Sequence, residues 1–183
     1  MTTPMRLECG TCVVRSWEPA DAPALTRHAN DRSVWENLRD RFPHPYTELD
    51  ARTFIRASRA ARPPTNFAID VGGESVGAIG IIPGHDVERV GAEVGYWVSK
   101  DFRGRGIASD ALRGFTRWAF EEFDLERIFA VPFLRNAASC RVLEKAGYAR
   151  EGILKRSAIK DGVVLDQAMY AVTRESADEG SVE

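Results

Sequence analysis

The sequence predicts an α+β fold with a mixed sheet in a single domain spanning residues 1–183. The length of 183 residues is typical of one domain that has its own core. Strand and helix patterns follow one another in the order β, α-α-α, β-β-β, α, β, α, β, β. A doubly wound parallel sheet would alternate strands with helices, whereas here three consecutive strands precede the later helices.

The first half of the chain contains one strand, three helices and a hairpin. Pro19 among acidic residues is typical of a helix start, and Ser33 and Thr47 are candidate caps for the next two helices. Pro43 and Pro45 exclude a helix between them. The predicted elements are a strand at 11–17, a helix from 18 to about 30, a short helix at 33–39, a helix from 48 to about 61, and strands at 67–71 and 75–83.

The second half is organised around a strand at 90–98, a glycine-rich turn and a helix. In the strand, β-branched and aromatic residues alternate with small ones. The turn is Arg103–Ala108, and the helix after it places Ala111, Leu112 and Phe115 on one side. The remaining predicted elements are a strand at 127–131, a helix at 135–146, strands at 148–155 and 163–172, and a polar, disordered tail at 175–183.

Composition and charge narrow the class of protein. The formal net charge of −2 gives no overall electrostatic preference for nucleic acid or for a membrane surface. The first residues lack an apolar signal region, and no stretch approaches about 18 apolar residues. We therefore expect a cytoplasmic protein without nucleic-acid or membrane partners.

The spacing of Cys9 and Cys12 fits half of a zinc site or a redox pair. No second cysteine pair or nearby histidine completes a metal set, and a thioredoxin-type motif would follow a strand and open a helix. Two thiols at the mouth of the first strand are the favoured interpretation.

Three phosphate-binding designs compete for the glycine-rich turn, beside an ordinary helix entry. Glycines let a backbone approach a ligand, and the first N–H groups of a helix attract anions. A P-loop would need a Gly-Lys-Ser/Thr triplet, which is absent. The dinucleotide fingerprint has Gly104 and Gly106, but Ser109 replaces its third glycine and the next strand lacks the acidic residue. A third pattern, Arg/Gln-x-x-Gly-x-Gly/Ala, is met by Arg103, Gly106 and Ala108.

Three further stretches accompany this third pattern. They are Glu93–Val98, then Asn136–Ser139 followed by Val142–Tyr148, and finally Gly162–Tyr170. With them the chain resembles the GCN5-related N-acetyltransferase (GNAT) superfamily over about residues 11–174, and within it the RimJ/RimL-type branch. The resemblance implies a mostly antiparallel central sheet with helices on both faces. It also implies acetyl-CoA as cosubstrate and no metal.

The resemblance also implies a cofactor site. The Val98 N–H would lie near the thioester carbonyl, and Asn136 would hydrogen-bond the pantetheine arm, although asparagine is equally a common helix cap. Arg103 and Arg105 would add positive charge or face solvent. The residues whose backbone would bind the pyrophosphate are Arg103, Gly104, Arg105, Gly106, Ile107 and Ala108.

Glu93 is the candidate general base. On its strand face Gly91 and Gly95 would leave room for a ligand or a water. Because an ordinary glutamate has a pKa of about 4.3, a base of this kind needs burial or a relaying water. A structural carboxylate is the competing interpretation, and His44 and His85, both in turns, are rival bases.

The residue at the expected position of the proton donor differs from that of many members of the superfamily. Many members carry a tyrosine seven residues after the helix-opening asparagine, where this chain has Leu143. Tyr148 is expected to pack into the sheet. Ser139 lies one turn after Asn136 on the same side, and RimJ/RimL-type proteins have a serine there. Ser139 is therefore the candidate catalytic and cofactor-binding hydroxyl, and Cys140, about 100° around the helix, is a poor substitute.

The acceptor is expected in a groove between the first two helices and the last hairpin. An N-terminal α-amine loses its proton about 3 kcal/mol more cheaply than a lysine, which mildly favours a peptide N-terminus. The candidate contact residues are Trp35, Arg39, Asp40, Phe42, Tyr46 and the loop at 158–164.

Several functions stay open from the sequence. The favoured one is an N-acetyltransferase that acts on a primary amine, such as a protein N-terminus. The alternatives are an acetyltransferase for a small-molecule amine (antibiotic, polyamine or metabolite) and a non-catalytic acyl-CoA-binding sensor. A dinucleotide-dependent oxidoreductase is disfavoured by the incomplete fingerprint. A homodimer is one open oligomeric state.

Overall fold

The computed structural model describes residues 4–179. The helices are α1 Ala22–Ala29, α2 Arg32–Trp35, α3 Glu48–Ala60, α4 Ile107–Glu122, α5 Ala137–Lys145 and α6 Arg174–Glu179. The strands are β1 Arg6–Glu8, β2 Val13–Arg15, β3 Asn66–Val71, β4 Glu74–Pro83, β5 Gly91–Val98, β6 Arg127–Ala130, β7 Ala149–Lys160 and β8 Val163–Thr173. No helix among these residues combines the length and the apolar composition needed to cross a membrane.

The strands are hydrogen-bonded in the order β1-β2-β3-β4-β5-β6-β8-β7. The pairs β1–β2, β2–β3, β3–β4, β6–β8 and β7–β8 are antiparallel, whereas β5 and β6 run parallel. A parallel pair requires a crossover connection, and α4 supplies it between β5 and β6. The predicted α+β class with a mixed, mostly antiparallel sheet is confirmed.

The residues form two compact units, of which the first takes the chain up to Gly80 together with Tyr96–Ala111. Its helix α3 begins at the predicted cap: Thr47 Oγ1 accepts the Asp50 N–H at 3.3 Å, and the Asp50 carboxylate accepts the Thr47 N–H at 2.8 Å. The buried residues of this core are Trp17, Ala22, Leu25, Ala29, Tyr46, Ala51, Ile55, Ala68 and Ala78.

A buried ion network holds the end of β2 in this first unit. The Arg15 guanidinium donates to Asp21 at 2.8 Å and to Asp70 at 2.8 Å, and all three side chains are at most 12% exposed. Burial opposes ionisation of Asp21, but hydrogen bonds from Arg15 and from the Glu18 backbone outweigh it and lower the pKa of Asp21. The network fixes the chain at the entry to α1.

The second unit takes Ile81–Gly95 and the chain from Leu112 onward. Its core includes Phe115 of α4, Ile128 of β6 and Leu143 of α5, all fully buried. Tyr148 is also buried, as predicted, and its hydroxyl bonds Thr116 Oγ1 at 2.7 Å.

Four elements differ from the sequence prediction. The strand β1 was not predicted, because its three residues are too few to show a period. The cap of α2 is the Asp31 carboxylate, which accepts the Ser33 N–H at 2.8 Å, rather than Ser33 itself. Strand β7 extends five residues further than predicted, to Lys160. The tail predicted to be disordered begins with α6, and residues 180–183 lie outside the described part.

Candidate active site

The glycine-rich turn adopts the backbone that a phosphate site requires. Gly104 has φ 75° and Gly106 has φ 82°, a region that other residues adopt only with strain. A Cβ added at Gly104 would meet no heavy atom within 4 Å, so the space beside the turn is open. The Gly106 carbonyl accepts the Asp110 N–H at 3.0 Å, which begins α4. The earlier N–H groups are thus available to an anion.

Both arginines of the turn donate to backbone carbonyls of neighbouring segments. Arg103 Nε donates to the Val98 carbonyl and Nη2 to the Ser33 carbonyl, each at 3.3 Å. Arg105 Nη2 donates to the Asp101 carbonyl at 2.8 Å. The charges predicted for the pyrophosphate therefore also brace the turn, and both residues are solvent-exposed.

An ion pair between Lys100 and Asp31, called the tie below, joins the segment just before the turn to α2. Lys100 Nζ lies 2.7 Å from the Asp31 carboxylate, which also caps α2 through the Ser33 N–H. The hydrogen bond from Lys100, followed by that from the Ser33 hydroxyl, lowers the pKa of Asp31.

A buried histidine fixes the residue that follows Val98. His28, 6% exposed, bonds Ser99 Oγ at 2.9 Å through Nδ1 and Glu74 Oε1 at 2.5 Å through Nε2. Hydrogen bonds from His28 and then from Arg27 lower the pKa of Glu74. Sequence reasoning missed this group, because His28 shows only as a polar residue on the apolar side of α1 and its partners are far away in the chain.

The turn between β1 and β2 contacts the first turn of α4. Thr11 Oγ1 donates to the Asp110 carboxylate at 2.8 Å, and the Cys12 thiol lies 3.7 Å from the Ile107 carbonyl. Neither Cys9 nor Cys12 forms a disulfide and both are buried, and a hydrogen bond with Cys9, together with burial, raises the pKa of Cys12. Within residues 4–179 no group of three or more potential ligands could hold a metal ion. The burial of both thiols favours a packing role.

Glu93 occupies the middle of β5, in the second unit. It is half-buried and pairs with Phe129 in the parallel register. Gly95 is exposed and has open space around it, whereas Gly91 is buried, with the Glu88 carbonyl 3.6 Å from an added Cβ. The room expected beside Glu93 is thus on the Gly95 side.

The first turn of α5 arranges the other candidates of the second unit. The Asn136 side-chain oxygen accepts the Ser139 N–H at 3.2 Å, so Asn136 acts as the helix cap. Ser139 is half-buried, and Leu143 is 0% exposed. Leu143 therefore fills the core.

A sequence profile of the acetyltransferase (GNAT) domain family matches residues 12–149, about three quarters of the chain. The chain belongs to the GNAT acetyltransferase family.

Named relatives place this GNAT chain in the RimJ/RimL-type branch. The probable N-acetyltransferase YjcK of Bacillus subtilis is 41% identical over 81 residues (44% of this chain, 45% of YjcK). The putative ribosomal N-acetyltransferase YdaF of the same organism is 33% identical over 97 residues (52% and 53%). The matches thus span about half the length of these curated relatives. The solved Mycobacterium smegmatis RimJ, in complex with CoA-disulfide, is 30% identical with TM-score 0.79, over 96% of this chain and 90% of RimJ.

The cofactor of this GNAT branch suits the glycine-rich turn. The RimJ structure contains a CoA-disulfide, and the open backbone at Gly104 and Gly106 fits a pyrophosphate. A side chain at either glycine would occupy the approach that such a ligand needs.

The residues predicted to contact the acceptor fall into two groups. Trp35 and Phe42 are half-buried, and Arg39 and Asp40 are exposed. Tyr46 is only 4% exposed, and burial raises the pKa of its hydroxyl. Its ring belongs to the core of the first unit, which favours a packing role over contact with a substrate.

The rival bases are both exposed. His44 stacks on Trp35 with ring centroids 5.7 Å apart, and His85 lies in the turn after β4. The loop at 158–164, predicted to contact the acceptor, forms the tip of the β7–β8 hairpin and exposes Ile159 and Val164.

Proposed function

We propose that the protein is an acetyl-CoA-dependent N-acetyltransferase whose acceptor is the α-amine of a peptide or protein N-terminus. The observation that carries this proposal is the turn at Gly104 and Gly106, open and left-handed at the start of α4, in a chain of the GNAT family. Acetyl-CoA, when bound, supplies an activated acetyl thioester.

The first unit would hold the cofactor mainly through its backbone. The N–H groups from Gly104 to Ala108 would bind the pyrophosphate, since the Arg103 N–H already donates to the Lys100 carbonyl at 3.3 Å. The Val98 N–H would orient the thioester carbonyl. The bonds of Arg103 to Val98 and Ser33 keep this backbone in place. Positioning of this kind lowers the barrier to transfer because it converts an encounter into an intramolecular step.

The second unit would contribute side chains. Glu93 would accept the proton of the acceptor amine, directly or through a water on the open Gly95 side. Ser139 would bond the leaving sulfur, and the amide nitrogen of Asn136 would bond the pantetheine arm while its oxygen caps α5.

Two arguments support an N-terminal acceptor. The α-amine becomes neutral at a free-energy cost about 3 kcal/mol lower than that of a lysine, so a single carboxylate suffices as base. Two relatives, YdaF and RimJ, carry names that tie them to ribosomal N-acetylation or to the RimJ branch.

The test measures the free thiol released from acetyl-CoA with matched acceptors. One short peptide has a free N-terminus and no lysine, its partner has a blocked N-terminus and one lysine, and spermidine represents small amines. We expect kcat/KM at least 10-fold higher for the free N-terminus, and a kcat about 10²-fold lower in Glu93→Gln with unchanged CoA affinity. Faster turnover of the lysine peptide or of spermidine would reject the N-terminal acceptor. If none of the three acceptors leads to thiol release although the protein binds CoA, the protein is not an acetyltransferase for amines of these kinds, and the proposal is rejected.

A further inference from the structure

One face of α3 carries three arginines and a single acid, Glu48, at its N-terminal end. At 100° per residue, Arg52, Arg56 and Arg59 fall within an arc of about 60°. The buried residues of the helix, Ala51, Ile55 and Ser58, lie on a different side. Between residues 51 and 62 the chain has four arginines and no aspartate or glutamate. The overall charge of −2 therefore conceals a local positive surface.

Little in the fold accounts for these charges. Arg52 donates to Glu48 at 2.9 Å and 2.5 Å, but both side chains are more than half exposed, so the pair contributes little to stability. Among the side chains of residues 4–176, Arg56 and Arg59 have no carboxylate partner. Arg62 differs, because its guanidinium donates to the Arg59 and Ala61 carbonyls and closes the helix end.

Most exposed side chains beside this arginine face, Arg52, Arg56 and Arg59, are small. They are Thr53, Ala57 and Ala60, and the exception is Leu49, which is 72% exposed one turn before Arg52. Small side chains allow a large, regular ligand to approach the guanidinium groups. They offer no aromatic anchor of the kind that dominates protein–protein interfaces. A membrane-surface helix would show an exposed apolar face, whereas Ile55 is buried and Phe54 packs against the core.

We propose that the arginine face docks the phosphate backbone of a nucleic acid. Its three arginines span about 10 Å along the helix at 1.5 Å per residue. At about 3.4 Å of axis per phosphate of one strand, this distance matches about three phosphates. Guanidinium groups bind phosphate oxygens in pairs and remain charged at every physiological pH. The contacts are to the backbone, so binding is independent of base sequence.

Fluorescence anisotropy with labelled RNA and DNA duplexes of one sequence tests this surface across about 50 to 200 mM salt. The triple variant with Arg52, Arg56 and Arg59 changed to Gln keeps good helix formers at exposed positions. We expect at least a 10-fold loss of affinity at low salt, and a slope of log K against log salt shallower by about 2.7. Equal affinities for the RNA and the DNA duplex indicate recognition of the backbone. A higher affinity for the RNA duplex assigns RNA as the partner.

The matched control changes three exposed arginines elsewhere, Arg117, Arg141 and Arg150, to Gln and so removes the same charge. Its affinity should stay within about twofold of the parent. An equal loss in both triple variants, no duplex binding by the parent, or parent binding to anionic vesicles alone would overturn the proposal. If the triple variant loses helicity, Arg56→Gln and Arg59→Gln are measured singly, each with a slope shallower by about 0.9. The assay contains no CoA, so its outcome does not depend on acetyl transfer.

Discussion

The glycine-rich turn of the first unit and the first turn of α5 in the second unit present their binding groups in different ways. At Gly104 and Gly106 the ligand would meet backbone N–H groups, and the neighbouring arginine side chains bond to the protein itself. At α5 the groups are the side chains of Asn136 and Ser139, one of which already caps the helix. A backbone site has no side chain to remove, so only a change of conformation or an obstruction of its N–H groups should destroy it. A side-chain site shares its groups with structural roles, so single substitutions should reduce it by degrees.

The largest effect is expected at the glycine-rich turn. Gly106→Glu places a carboxylate at the start of α4, where it would compete with a phosphate for the N–H groups. We expect CoA affinity to fall by more than about 100-fold in calorimetric titration. The control is Gly72→Glu, since Gly72 also has positive φ (65°) and open space but lies in the β3–β4 turn. It carries the same backbone strain and should bind CoA normally. Equal affinity in the two variants would mean that the turn is only a helix entry.

A smaller effect is expected at α5. A thiol has a pKa near 8.5, so a thiolate is a tolerable leaving group and a proton donor is helpful rather than compulsory. Ser139→Ala should therefore lower kcat by about 10-fold, the low end of general-acid effects. Cys140→Ala, one residue on, is the matched control and should leave kcat within about twofold.

The same variant separates two roles for the serine. An increase in the KM for acetyl-CoA at constant kcat would show that Ser139 only binds cofactor. A tyrosine at Leu143 cannot supply the missing acid, because that side chain is fully buried and a larger ring would overpack the core.

Local chemistry determined what could be predicted. The glycine-rich turn, the alternation in β5 and the capping box at Thr47 are each encoded in a few adjacent residues, and the structure confirms them. The contact of His28 with Ser99 was not predictable, because 71 residues separate them and neither carries a pattern of its own. Burial of Tyr46 was missed for a similar reason: the proline-rich stretch before it has no period to mark an inner face.

The choice of cap for α2 shows the same limit at short range. Ser33 is the predicted cap, but Asp31, two residues earlier, is an equally good cap by residue type. The structure selects Asp31 because its carboxylate also binds Lys100, at the base of the glycine-rich turn. A side-chain tie thus supports a site that binds through its backbone, which links the two modes of binding contrasted above.

The smallest predicted effect tests that tie through its pH dependence. Hydrogen bonds from Lys100 and Ser33 hold the pKa of Asp31 below its ordinary value, so the carboxylate is ionised more readily in the folded than in the unfolded protein. A depressed pKa contributes stability that is fully present above the unfolded value of about 3.9 and is lost as pH falls through the folded one. Asp31→Asn should lower the free energy of unfolding in urea by about 0.5 kcal/mol at pH 7, because asparagine still caps the helix and only the partly exposed ion pair with Lys100 is lost. The difference from the parent should stay constant down to about pH 4 and shrink below it.

At pH 7 the CoA affinity of the variant should change by about threefold or less, since the N–H groups themselves are untouched. A stability difference that stays constant to pH 2 would show that the Asp31 carboxylate does not carry the tie. A loss of CoA affinity as large as that of Gly106→Glu would show that the turn depends on side chains after all.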